Sequence, residues 1–137
     1  MELSLAGINW IAVGACIVAG QVLLTLWFAA IFAKPWARAY GVDDPKQHTR
    51  EVPGYTYAIG LACTALATVG IAVLQAALGA RGAGDGVALG LLLALCFGAA
   101  TAVPGYAFLK RWSACGLAVG SQAVLIMAVS AVLAVWR

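Results

Sequence analysis

The stretch INWIAVGACIVAGQVLLTLWFAAIFA, Ile8 to Ala33, carries no charged residue from end to end. Wound as an α-helix it is long enough to cross a bilayer, whose hydrocarbon core of about 30 Å needs roughly 20 apolar residues. Three further runs have the same character: Tyr55 to Leu78, Val87 to Leu109 and Cys115 to Val135. In a chain of 137 residues, 64% hydrophobic and 9% charged, they leave little for a soluble domain. The expected fold is therefore all-α: an integral membrane bundle of four transmembrane helices, about 8–33, 55–78, 87–109 and 115–135, within a single domain spanning 1–137.

The first run is preceded by Glu2 and not by a basic stretch, and its apolar segment is longer than a leader's, so it is expected to stay in the protein. Cys16, Cys63, Cys96 and Cys115 fall one per run with no Cys-x-x-Cys pair and no neighbouring histidine. They read as small packing residues.

Orientation follows from the basic residues. Lys34, Arg38, Lys46 and Arg50 lie between the first two runs, and Lys110 and Arg111 between the last two; Arg81 and Arg137 stand on the opposite side. This imbalance predicts that both termini are outside and both basic connections are cytoplasmic. The net charge of +3 then forms a collar facing anionic lipid headgroups, at about 1 kcal/mol per basic residue, and gives no reason to expect nucleic acid.

The outer connection GARGAGDG, Gly79 to Gly86, reads as a short flexible turn. The inner one, Ala33 to Pro53, is cut into pieces by Pro35, Gly41, Pro45 and Pro53, and Trp36 and Tyr40 flanking Arg38 suit a short interfacial helix. The string Val-Pro-Gly-Tyr occurs twice. Pro53 reads as a helix start, whereas Pro104 reads as a kink or early end of the third helix. FAKPW (Phe32 to Trp36) and FLKRW (Phe108 to Trp112) leave the membrane on one side, the mark of either two parallel hairpins or an aromatic belt beside basic residues. Trp10, Trp36, Tyr55, Trp112 and Trp136 are the expected interface anchors.

Small residues recur every fourth position along the third helix, at Gly86, Gly90, Ala94 and Gly98, and the fourth opens with Gly116 and Gly120. Such stripes let helix backbones approach closely in lipid. They make the third helix the expected packing centre, with a partner in this chain or in another copy, and the chain an expected homo-oligomer or subunit of a membrane complex.

No Asp, Glu, Lys, Arg or His lies inside any run, which argues against proton-coupled carriers and ion pumps. Neutral polar groups do lie at depth: Gln21 and Thr25, Thr64 and Thr68 with Gln75 further out, then Ser121 and Gln122. They serve either interhelical hydrogen bonding or the lining of a path for a neutral solute. Asp43, Asp44, His48 and Glu51 crowd the inner connection, but Pro45, Lys46 and Arg50 among them point to a solvated loop, so no metal is expected there. With a single histidine and no nucleophile and base pair at depth, neither a catalytic residue nor a cofactor is expected. A structural or accessory protein acting through association is the leading expectation, and a small-solute channel or facilitator the alternative.

At INWIAV (Ile8 to Val13), LWFAAIFAKPWARAYG (Leu26 to Gly41) and AVSAVLAVWR (Ala128 to Arg137) the chain resembles a bacterial family of four-helix membrane proteins known as domain of unknown function 1761. Asn9, Trp10, Trp27, Phe28, Lys34, Trp36 and Trp136 occupy its recurring positions. The chain departs from the pattern at Phe28, where Tyr is common, and at CGLAVGSQ (Cys115 to Gln122), where an acidic residue is common. The resemblance implies the fold and a bacterial membrane, and no activity.

Overall fold

The computed structural model describes residues 5–136; Glu2 and Arg137, used above for the leader and charge readings, lie outside them. Among the described residues there are helices and no strand. Four are long and apolar enough to span a membrane: α1 (Trp10–Ile31), α4 (Gly54–Leu78), α5 (Gly82–Phe108) and α6 (Trp112–Val135). Between α1 and α4 run two short helices, α2 (Ala33–Ala39) and α3 (Pro45–Glu51), where a single interfacial helix was expected.

The ends of these helices have local causes. Asn9 caps α1 with its side-chain oxygen, which accepts from the backbone N–H groups of Ile11 and Ala12, both at 3.1 Å. Asp44 does the same for α3 through Lys46 N–H at 2.9 Å. Pro53 stands at the N-cap of α4 in extended conformation, and Gly79 ends that helix at φ 66°, a left-handed geometry that costs a β-carbon-free residue little. Loss of the Asn9 cap leaves two amides at the membrane edge unpaired. Asn9→Ala should lower stability by about 1 kcal/mol and Asn9→Ser by much less, as read by thermal unfolding in detergent.

The structure departs from the sequence reading at three places. The stretch read as a flexible outer turn is mostly helix: α5 begins at Gly82, and Asp85 accepts from the backbone N–H of Arg81 at 2.8 Å, leaving only a tight turn at 79–81. α5 also runs through Pro104 to Phe108, with a widened π-helical segment at Ala94–Ala99 just upstream. The third departure concerns the centre of the bundle. α6, not α5, packs against all three other spans, while α5 packs mainly on α6.

Packing is uneven through the membrane. The core is built by Ala12, Val13 and Cys16 of α1, Ile71 and Ala72 of α4, and Leu125, Val129 and Leu133 of α6, all in the half nearer the termini. In the other half no residue of α4 from Gly54 to Cys63 is buried. α1 and α5 both carry their π segments in that half, at Trp27–Ile31 and Ala94–Ala99. α4 is thus close-packed near the face of the termini and exposed toward the basic connections, where α2 packs on the start of α6 instead.

Candidate functional site

Three groups of polar side chains stand out, one at each face and one near mid-membrane. Near the face of the termini, Gln75 of α4 is 2% exposed and donates from Nε2 to the backbone carbonyl of Ser130 at 2.6 Å and to Ser130 Oγ at 3.0 Å. Ser130 itself is fully buried. This clamp ties α4 to α6 and borders a cleft of about 30 Å³ lined by Asn9, Val13, Ala72, Leu133 and Trp136, which is room for about one water. The sequence marks Gln75 only as lying further out and gives no sign of Ser130 as its partner, because the pairing depends on the register of two helices far apart in the chain.

The residues expected to line a path are not gathered into one. Thr25 donates to the carbonyl of Gln21 at 2.8 Å, Thr64 to that of Gly60 at 3.0 Å and Thr68 to that of Thr64 at 2.8 Å. Each hydroxyl is satisfied one turn back on its own helix, as threonines in apolar helices commonly are. Gln21 keeps its Oε1 buried without a partner, as Trp27 keeps its indole N–H. Gln122 is exposed and makes no hydrogen bond, so it does not share an enclosed lining with Gln21.

The small-residue positions also divide. At Gly86 an added β-carbon would meet the carbonyl of Ser130 at 2.5 Å, and at Gly90 the Cα of Met127 at 2.8 Å; Ala94 is buried. These three sit in the α5–α6 seam of the same chain. Gly98 is looser, its nearest neighbour Ile126 at 3.8 Å. Gly120 faces the Trp27 ring at 3.5 Å, whereas Gly116 is exposed with nothing nearby and is not a packing position. Cys16 and Cys115 are buried, but Cys63 and Cys96 are exposed, so only the first two pack as the sequence suggests.

At the basic face the two connections meet. A chain of ring contacts runs from Phe28 to Trp36 (4.5 Å between centroids), Trp36 to Tyr40 (4.9 Å) and Tyr40 to His48 (5.5 Å, stacked). Arg111, from the turn before α6, places its guanidinium 5.1 Å from the Tyr40 ring and donates to the carbonyl of Ala39 at 3.0 Å. Its neighbour Lys110 adopts φ 54°, a left-handed backbone that costs a non-glycine residue about 1 kcal/mol and lets the turn close tightly. Ala37 of α2 and Ala114 of α6 are both fully buried, as close approach of α2 to the start of α6 requires. Around this platform Lys34, Arg38, Arg50 and Lys110 are exposed. Among the described residues no three His, Cys, Asp or Glu side chains converge on a common point. The platform offers aromatic rings and cations, the equipment of a headgroup-level surface.

The residues behind the resemblance now have places: Asn9 caps α1, Trp27 packs on Phe32 and Gly120, and Phe28 and Trp36 begin the ring chain. The model of a protein family of unknown function, DUF1761, matches residues 11–134. The chain belongs to the DUF1761 family. No curated protein and no solved structure matches it. For this DUF1761 protein, family membership agrees with the four spans and carries no activity. Of the expected anchors Trp10, Tyr55, Trp112 and Trp136 are exposed near helix ends, while Trp36 is half-buried within the ring chain.

Proposed function

We propose that this DUF1761 protein is a structural or accessory component of the bacterial cytoplasmic membrane that acts by associating with itself or with a larger membrane complex. The observation that carries this reading is the use of the Gln75 amide. The most deeply buried amide of the chain holds α4 to α6 and lines no path. The threonine hydroxyls are likewise satisfied on their own helices, and the one charged residue within the four spans, Asp85, sits in the first turn of α5 and accepts from the backbone N–H of Arg81. The alternative, a facilitator lined by Gln21, Thr25, Thr64, Thr68 and Gln122, retains one supporting observation, the unpaired Gln21 Oε1.

Flux from liposomes separates the two. With folded protein reconstituted, neutral solutes and common ions should leak no faster than from empty liposomes. A flux that the parent supports and Gln21→Leu abolishes would establish the facilitator instead.

The platform of Arg111, Tyr40 and Trp36 with its surrounding cations belongs on the cytoplasmic side in this reading, against anionic headgroups, with both termini outside. Reporter fusions at Arg137 should be active only for a periplasmic reporter. Activity of a cytoplasmic reporter there would invert the assignment.

A further inference from the structure

The positive charge of the basic face is concentrated at one seam. α2 and the turn at 109–111 together hold Lys34, Arg38, Lys110 and Arg111 and no acidic residue. The acids of this face, Asp43, Asp44 and Glu51, all lie in or just before α3 beside Lys46 and Arg50; Asp44 caps α3, and Glu51 accepts from the Gln47 amide at 2.9 Å. None of the seam cations is ion-paired, and the side chains of Lys34, Arg38 and Lys110 make no hydrogen bond in the chain. The spans set their depth. Lys34 stands three residues beyond Ile31 at the end of α1, and Lys110 and Arg111 stand between Phe108 of α5 and Trp112 of α6, which places them at headgroup level. Ala37 and Ala114 are fully buried where α2 packs on the start of α6. Lys34 and Arg111 each stand three residues before one of these alanines, close to one helical turn, so a cation from either element borders the same contact. Arg111 is held in place by the Tyr40 ring and by its bond to the Ala39 carbonyl, which leaves most of its guanidinium donors for a ligand.

We propose that the seam between α2 and the start of α6 binds the phosphate of one anionic phospholipid, held by Arg111 and Lys34, with Arg38 and Lys110 adding positive charge. A guanidinium matches the oxygens of a phosphodiester with paired charge-assisted hydrogen bonds, and an ammonium adds a point charge beside it. A zwitterionic phospholipid carries the same phosphate, but its quaternary amine would meet cations alone, with no carboxylate in the seam to receive it. The seam therefore selects a headgroup that brings no cation of its own. Trp36 and Tyr40 supply rings suited to the boundary between headgroup and acyl chain. The inference rests on the reading that sets this platform against anionic headgroups, and it narrows that general contact to one lipid at one seam.

The test reconstitutes the full chain in nanodiscs of equal parts phosphatidylglycerol and phosphatidylcholine and identifies the lipids it retains by native mass spectrometry. The parent should keep one phosphatidylglycerol per chain and prefer it to phosphatidylcholine about tenfold or more. Lys34→Gln and Arg111→Gln should each remove most of that preference, whereas Lys46→Gln and Arg50→Gln, which take the same charge from α3, should keep it. Lys34 is exposed and unbonded, so its substitution spares the fold whatever Arg111→Gln does to the turn. Equal effects in all four variants, or no preference in the parent, would reduce the seam to a diffuse positive surface and overturn the inference. Displacement of the lipid by millimolar inorganic phosphate would make the seam a site for a soluble anion and overturn it equally. The number of chains in the same spectra reports association separately: a monomer that keeps its phosphatidylglycerol removes the association reading and leaves this site, and an assembly without lipid preference does the reverse.

Discussion

Gly90→Leu should separate α5 from α6 and leave little folded protein, and even Gly90→Ala or Gly86→Ala should cost about 1–3 kcal/mol. At Gly90 a β-carbon would stand 2.8 Å from the Cα of Met127 and 3.2 Å from the carbonyl of Ile126. At Gly86 it would stand 2.5 Å from the carbonyl of Ser130 and 2.8 Å from the Cα of Ala131. These obstacles are backbone, which no rotamer change can move aside. The helices must shift apart, and the many weak dispersion contacts along the seam are lost together. Gly14→Ala and Gly70→Ala meet nothing within 4 Å and should stay within about 0.5 kcal/mol of the parent. Thermal unfolding in mild detergent reads the four alanine variants, and the yield of folded protein reads Gly90→Leu. Equal stability of Gly90→Ala and Gly70→Ala would show that α5 does not pack as described.

Gln75→Ala should be the next most damaging change, at about 2–4 kcal/mol, because it removes the clamp on Ser130 and leaves a void in a site only 2% exposed. Gln75→Leu keeps most of the volume and isolates the hydrogen bonds, so its cost should be smaller, about 0.6–1.7 kcal/mol. Ser130→Ala removes the Oγ contact and keeps the carbonyl one, and its effect should shrink once Gln75 is already Leu. Unfolding of the two single variants and the double variant measures that coupling. Strict additivity would mean that the two side chains do not interact.

The spans were legible because absence of charge over a bilayer's width is a property of the sequence itself, as Ile8 to Ala33 shows. The four-residue spacing of Gly86 and Gly90 was equally legible as a close-approach surface, but not its partner. A small side chain shows that something comes near without saying what, and Gly116, equally small, faces nothing. The same limit explains why α6 was missed as the centre: its buried residues include Leu125, Val129 and Leu133, which in a membrane sequence look like any lipid-facing residue. With hydrocarbon outside and inside alike, hydropathy cannot tell the buried face of a helix from its exposed one. The polar residues suffered a related ambiguity. Thr64, Thr68 and Gln122 sit at similar depth in sequence terms, yet the first two are buried and bonded and the last is exposed. The ring chain from Phe28 to His48 depends on how α2 and α3 fold back on each other, and Arg111 lies too far along the sequence from Tyr40 for any local pattern to join them.

The claim that the protein acts by association is tested most directly by the mass of the assembly released from native membranes, measured by native mass spectrometry with the surrounding lipid retained. The account predicts a species of at least two copies of the 14.0 kDa chain, or one copy within a larger complex. A single 14.0 kDa chain with lipid alone, at membrane concentrations and in the gentlest extraction that keeps it folded, would contradict it.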